Sequence, residues 1–188
     1  MKFPLLLGSA SERRRKILAE MGLDFEVSVA DVEEVFLVGD PPRTATENAR
    51  RKHDWCARRH PGFAVIAADT VLDFQGRCMT KPSSPSEAFE FLKMLSARTH
   101  TVITGVALSR PGQAPEVTSV ESSVTFRKLD DKLIREYFSR FNPMDRAGAY
   151  DIDEHGEMII ESYSGSYTNI MGLPRETVAD WIKRREQD

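Results

Sequence analysis

The chain has 188 residues, enough for one compact domain with a good core, or one domain with an inserted lobe, and too few for two typical domains. With 40% hydrophobic and 29% charged residues and no low-complexity tract, its composition excludes a disordered chain. A net charge of −3 excludes a protein that coats nucleic acid, which needs a large basic excess, but leaves room for a local basic pocket that takes a small anion.

The N-terminal run MKFPLLLGSASERRRK returns to charge too soon for a signal segment or a membrane span, so a cytoplasmic protein without a membrane partner is expected. Pro4 to Leu7 reads as a short buried strand. Gly8-Ser9-Ala10-Ser11 follows, then a helix with Ile17, Leu18 and Met21 on one face that ends at Gly22. A second strand is predicted around Phe25 to Val29, leading into the acidic cluster Asp31-Val32-Glu33-Glu34. Thr44-x-x-Glu47 has the capping-box pattern for a helix running to about Arg59. On that helix Ala45, Ala49, Lys52 and Cys56 share the apolar stripe, which turns Lys52 inward.

The apolar run Ala64 to Ala68 predicts a buried strand ending at Asp69-Thr70, and a hairpin turn is expected at Gln75-Gly76. Ser84-Pro85-Ser86-Glu87 combines an N-cap, a proline at the first helical position and a glutamate at the third, and so opens a helix that buries Ala88, Leu92 and Leu95. Thr99 to Ser109 and Val117 to Arg127 read as antiparallel strands around Pro111-Gly112. A helix over about Asp130 to Arg140, a strand near Met158 to Tyr163 and a final helix after Pro174 complete an α/β chain with a mixed sheet.

Four groups of residues carry the chemistry. Ser9, Ser11, Arg13 and Arg14 sit at a helix start, where hydroxyls, guanidinium groups and free amides are all anion donors. The alternative is a Ser11 cap beside a solvated basic face. Asp69, after five apolar residues, needs a cation, metal or water partner if it is buried; a turn or capping role stays open. Glu34 is either a solvated loop acid or the second of two carboxylates that hold Mg²⁺ and orient a water. Lys52 and Lys81, the latter extended ahead of Pro82, either snorkel or neutralise phosphate charge during phosphoryl transfer. Cys56 and Cys78 form no CxxC pair and the four histidines are scattered, so any metal is expected on oxygen; His100 and His155 read as structural. No Walker A sequence, strand-linked GxGxxG or DxD phosphatase motif is present.

Taken in order, Ser9-Ala10-Ser11-Glu12-Arg13-Arg14, Ala67-Ala68-Asp69-Thr70, Lys81-Pro82, Leu95-Ser96-Ala97-Arg98-Thr99-His100, Thr104-Gly105-Val106, Asp145-Arg146-Ala147-Gly148-Ala149-Tyr150 and Gly165-Ser166-Tyr167 leading to Gly172-Leu173-Pro174 resemble the signature of Maf proteins over nearly the whole chain. The resemblance implies a single Maf-like domain over 1–188, in a two-lobed α/β mixed-sheet fold with flanking helices, related to inosine triphosphate pyrophosphatases, with a nucleotide cleft between the lobes and frequently a homodimer. It also implies hydrolysis of a nucleoside triphosphate to monophosphate and pyrophosphate. In that role Ser9, Ser11, Arg13, Arg14 and Thr70 would bind substrate, Lys52 and Lys81 would stabilise the transition state, and Glu34 and Asp69 would serve Mg²⁺, or another divalent cation such as Mn²⁺, and a water.

The chain departs from the family in having Glu12 for a usual proline, Thr80 for a glycine, and Asp151-Ile152-Asp153-Glu154 for Gly-Ile-Gln-Gly. Asp153, in place of the amide, is expected to face the base or ribose, where an ionised carboxylate accepts but cannot donate. The Ala-Gly-Ala-Tyr stretch resembles the branch that takes dTTP and UTP; another branch takes 7-methyl-GTP. A nucleotide-binding regulator of cell division, suggested by the family's link to septum formation, and a general phosphomonoesterase are the competing readings.

Overall fold

The computed structural model describes residues 3–186. Seven strands form one mixed sheet in the order β2-β1-β3-β5-β6-β7, with β4 paired to β3. The strands are β1 (Leu5–Leu7), β2 (Glu26–Val27), β3 (Ala64–Phe74), β4 (Arg77–Met79), β5 (Thr99–Ser109), β6 (Glu116–Phe126) and β7 (Ile160–Ser164). The helices are α1 (Glu12–Glu20), α2 (Pro41–Arg59), α3 (Pro85–Leu95), α4 (Asp131–Arg140), α5 (Tyr167–Met171) and α6 (Arg175–Glu186).

Two apolar cores lie along the long strands, and they define the two lobes. At one end Ala64, Ile66 and Ala68 of β3 and Val106 and Leu108 of β5 pack with Leu5 and Leu7 of β1, Ile17 and Leu18 of α1, and Val178 and Trp181 of α6. At the other end Leu72 and Phe74 of β3 and Val102 of β5 pack with Phe91, Leu92 and Leu95 of α3 and with Ile134 and Tyr137 of α4. Each buried leucine contributes about 1.5–3 kcal/mol. Both lobes therefore share β3 and β5, and a small cluster of Ala45, Val71 and Ile103 packs α2 on the opposite face of these strands.

Several elements agree with the sequence reading. Helix α3 starts where the proline signal puts it, with the Ser84 hydroxyl accepting from the Glu87 amide at 3.2 Å. Strands β5 and β6 pair antiparallel from Thr99↔Thr125 to Leu108↔Glu116, and β3 turns into β4 through Gln75-Gly76. Helix α5, between Gly165 and Gly172, is an element the sequence reading lacks.

Three expectations are corrected. Helix α2 starts one turn earlier than the Thr44 box, capped by Asp40, whose carboxylate accepts from the Arg43 amide at 3.1 Å, with prolines in its first turn. The Thr44 hydroxyl instead binds the preceding loop, and Glu47 pairs with Arg50 and Arg51. The second strand is limited to Glu26–Val27. Strand β3 does not stop at Asp69: it pairs with β5 from Val65↔Ser109 to Asp73↔Thr101, and Asp69, opposite Gly105, lies mid-strand. What ends near that point is the parallel neighbour, since β1 pairs with β3 only as far as Leu7↔Ile66.

Helix α2 lies unusually close to the sheet at Gly105. A Cβ there would stand 2.4 Å from the carbonyl carbon and oxygen of Ala45, which are backbone atoms that cannot rotate away. Farther along, His53 Nε2 and Ser109 Oγ are 2.7 Å apart and His53 Nδ1 is 3.0 Å from Asp54 Oδ1. The order of groups is that of a hydrolase triad, but His53 and Ser109 are 1% and 4% exposed, so the cluster ties α2 to β5 and meets no substrate. Replacing glycine by alanine in a strand is normally mildly stabilising. Here Gly105→Ala is expected to cost about 3 kcal/mol through overpacking, read as a fall of about 10 °C in the thermal midpoint.

Candidate active site

A cleft of about 560 Å³ opens between the lobes. One wall is the turn from β1 into α1, one is the middle of β3, one is the loop before α2 together with Lys52, and another rim carries Thr80, Lys81, Asp145, Arg146, Ala147 and Tyr150. Ser9, Ser11, Arg13, Arg14, Glu34, Lys52, Asp69, Thr70 and Lys81 all line it, so residues scattered over more than seventy positions of sequence converge.

The floor is an ionic cluster. The Lys52 ammonium donates to Asp69 Oδ1 at 2.6 Å and to Glu34 Oε1 at 2.6 Å. The two carboxylates therefore meet at one nitrogen, which supplies the partner that buried Asp69 requires. Asp69 Oδ2 accepts from Asn48 Nδ2 at 3.2 Å. Asn48, itself 1% exposed, also accepts from the Val35 amide at 2.8 Å and donates to the Val35 carbonyl at 3.1 Å. One side chain thus fixes both the strand acid and the loop that presents Glu34. Burial would raise the Glu34 carboxyl, but its hydrogen bond and charge attraction to Lys52, with Lys81 and Arg14 nearby, outweigh this and hold it below its ordinary value.

The phosphate-cradle turn is built as a cap and as an anion surface at once. The Ser11 hydroxyl accepts from the Arg14 amide at 3.5 Å, and Ser9 Oγ accepts from the Ser11 amide at 3.2 Å. Arg14 differs from Arg13. Its Nε donates to the Gly172 carbonyl at 2.8 Å, and its terminal nitrogens donate to Ser9 Oγ at 2.9 Å and Thr70 Oγ1 at 3.1 Å. Burial pushes its guanidinium down to about 10, a fall that attraction to Asp69 partly offsets. Much of its donor capacity is thus engaged in holding α1, β3 and the end of α5 together. Thr70 in turn shares a hydroxyl contact of 3.0 Å with Thr104.

Lys81 stands on the rim, largely exposed, with its ammonium 3.5 Å from Asp145 Oδ1. Asp153 does not reach the cleft as expected. Its carboxylate accepts from Lys16 at 2.6 Å and from the Tyr167 hydroxyl at 3.2 Å, and the Lys16 hydrogen bond keeps it below the ordinary aspartate value. The neighbour that points inward is Asp151, whose side chain is fully buried. Its Oδ2 accepts from Arg13 at 2.8 Å and from Arg146 Nε at 2.8 Å, and its Oδ1 accepts from the Asp153 amide at 2.8 Å. Asp151, Arg146 and Asn48 are thus site residues that the sequence reading missed. His100, 3% exposed, donates or accepts through Nε2 at 2.8 Å from the Tyr150 hydroxyl and is pushed down to about 3 by burial, so it stays neutral.

The donor set suits one kind of metal. Among the described residues no group of three or more His, Cys, Asp or Glu is gathered, so an all-protein cage is not formed. Two converging carboxylates in an open cleft fit Mg²⁺, which keeps waters and takes further oxygens from phosphates. Both thiols, Cys56 and Cys78, are pushed up to about 11 by burial.

The family described as "Maf-like protein" matches residues 4–185. The chain belongs to the Maf family. Two similar relatives carry the name dTTP/UTP pyrophosphatase: that of Akkermansia muciniphila is 41% identical over 172 residues, covering 91% of this chain and 90% of that one. That of Thermococcus onnurineus is 42% identical over 175 residues, covering 93% and 94%. Among solved structures, the Staphylococcus aureus Ham1 protein is 18% identical with a TM-score of 0.49, covering 65% of this chain and 71% of that one. The nucleoside-triphosphatase, dITP/XTP pyrophosphatase, of Mycobacterium abscessus is 16% identical with a TM-score of 0.46, covering 98% and 95%. In this Maf protein no helix among the described residues is long and apolar enough to cross a membrane.

The depressed Glu34 carboxyl has a signed consequence. Its ion pair contributes stability fully above the ordinary 4.5 and loses it as pH falls through the lower folded value. The stability gap between wild type and Glu34→Gln, measured by chemical denaturation from pH 7 to pH 3, is therefore expected to be constant above about pH 5 and to shrink below it.

Proposed function

We propose that this chain is a nucleoside triphosphate pyrophosphatase that converts a nucleoside triphosphate and water to a nucleoside monophosphate and pyrophosphate, with dTTP and UTP as preferred substrates. The observation that carries the reading is the convergence of Asp69 and Glu34 on Lys52 at the floor of a cleft whose wall is the Ser9–Arg14 helix start. The family membership supports the reaction, and the names of the relatives support the bases.

In this reading the triphosphate lies along the turn into α1. The Ser9 and Ser11 hydroxyls and Arg13 donate to its oxygens, with the N-terminal end of the α1 dipole favouring the negative charge. Arg14 holds Ser9 and Thr70 in place for that contact. Asp69 accepts a proton from a water that attacks the α-phosphorus in line with the bridging oxygen. The α–β phosphoanhydride bond breaks, and its electron pair leaves on pyrophosphate.

Lys52, Lys81 and Arg13 neutralise the charge that grows on the leaving group. Lys52 also keeps both carboxylates in register, which confines Asp69 to one orientation. Glu34 and Asp69 would hold Mg²⁺, or Mn²⁺ in its place, and the ion supplies charge neutralisation of the phosphates when bound. A homodimer belongs to the same proposal, and light scattering of the purified chain decides it.

Product analysis with Mg²⁺ over dTTP, UTP, CTP, GTP, 7-methyl-GTP and ITP tests the reading. Pyrophosphate, not phosphate, is the expected product, with dTTP and UTP fastest. Asp69→Asn is expected to lower kcat by about 10²- to 10³-fold, the cost of one preorganised group. Release of inorganic phosphate would point to a phosphomonoesterase, and nucleotide binding without turnover to the regulator.

A further inference from the structure

The loop between β2 and α2 has no regular structure, yet it is held at two neighbouring points by the buried face of α2. Asn48 takes both backbone polar groups of Val35, at 2.8 and 3.1 Å. Thr44 Oγ1 accepts from the Leu37 amide at 3.0 Å, with its own hydrogen directed to the Asp40 carbonyl at 2.9 Å. Thr44 and Asn48 are 0% and 1% exposed, so these clamps are shielded from water. The residue between the two clamps is Phe36.

Phe36 lines the cleft, two residues beyond Glu34, and is 53% exposed. A phenyl ring left half in water forgoes much of the transfer free energy that its burial would supply. A mobile loop would fold such a ring away; here the backbone on both sides is fixed. Val29 and Ala30, earlier in the same loop, also line the cleft and are apolar, whereas the turn into α1 contributes Ser9, Ser11 and Arg13.

We propose that Phe36 is the nucleobase platform: its exposed ring stacks on the base of the bound nucleotide. This rests on the pyrophosphatase reading for the identity of the ligand and deepens it. Every base has a π-face, so the ring selects nucleotides over bare polyphosphates without choosing among bases.

Titration of the full chain with dTTP and, separately, with tripolyphosphate, both without divalent cation so that no turnover intrudes, tests the assignment in wild type, Phe36→Ala and Phe36→Trp. Phe36→Ala is expected to weaken dTTP binding by roughly tenfold, as for loss of one base–aromatic stack. Phe36→Trp is expected to restore it, and tripolyphosphate affinity to stay the same in all three. Unchanged dTTP affinity in Phe36→Ala overturns the proposal. So does a parallel loss of tripolyphosphate affinity, which would make Phe36 a support for the Glu34 loop. If wild type hydrolyses no nucleotide, the pyrophosphatase reading falls, while the affinity comparison still decides what Phe36 does.

Discussion

The seating of α2 against β5 is the constraint on which the site depends. Because Gly105 carries no side chain, the backbone of Ala45 can approach the sheet directly, and the next turns of α2 then bring Asn48 and Lys52 over Asp69. Backbone proximity of this kind cannot be replaced by a longer side chain elsewhere. Seated this closely, α2 brings the Lys52 ammonium to 2.6 Å from both carboxylates. The ion cluster that gives the cleft its chemistry is therefore a product of packing that lies behind it.

The charges in the cleft are arranged so that no buried group is left without a counterpart. Asp69 has Lys52 and Asn48, Arg13 has Asp151, and Arg14 has two hydroxyls and a carbonyl. Unpaired, each would carry a large desolvation penalty. Paired, they form two sets: Asp69 and Glu34 around Lys52 on the floor, and Arg13 and Arg14 at the α1 turn, with Asp151 on Arg13. A triphosphate with its cation has the complementary pattern, which is why the same residues can be stable without ligand and receptive to one.

Much of this was legible in the sequence where local chemistry decides the structure. Ser84-Pro85-Ser86-Glu87 sets its own helix start, and Ser11 both caps α1 and faces the cleft. The inward turn of Lys52 followed from its place among Ala45, Ala49 and Cys56. Where tertiary contacts compete with local signals, the reading failed. Thr44 carries a capping pattern, but its hydroxyl is taken by the Glu34 loop, and Asp40 with two prolines starts the helix. Asp69 looked like a strand end because an anion interrupts an apolar run, whereas pairing with β5 carries the strand onward. Asp151 and Asp153 are both acids in a short irregular stretch. Nothing local distinguishes the one that meets Arg13, 138 residues away in sequence, from the one that meets Lys16.

Strands β3 and β5 each run without interruption from one apolar core to the other. A two-domain enzyme joined by linkers can swing its halves apart, but here the joint is a hydrogen-bonded ladder of two eleven-residue strands. Such a spine joins the two cores through paired backbone groups, where a linker would leave them free to move apart. Variation in what the cleft admits then falls to parts that are not in the spine: the loop before α2, the Thr80–Lys81 turn and the 145–150 segment. In mechanical terms the protein is a beam with adjustable fittings, and its substrate range can change by substitution in the fittings while the beam, and with it the ion cluster at mid-span, stays as it is.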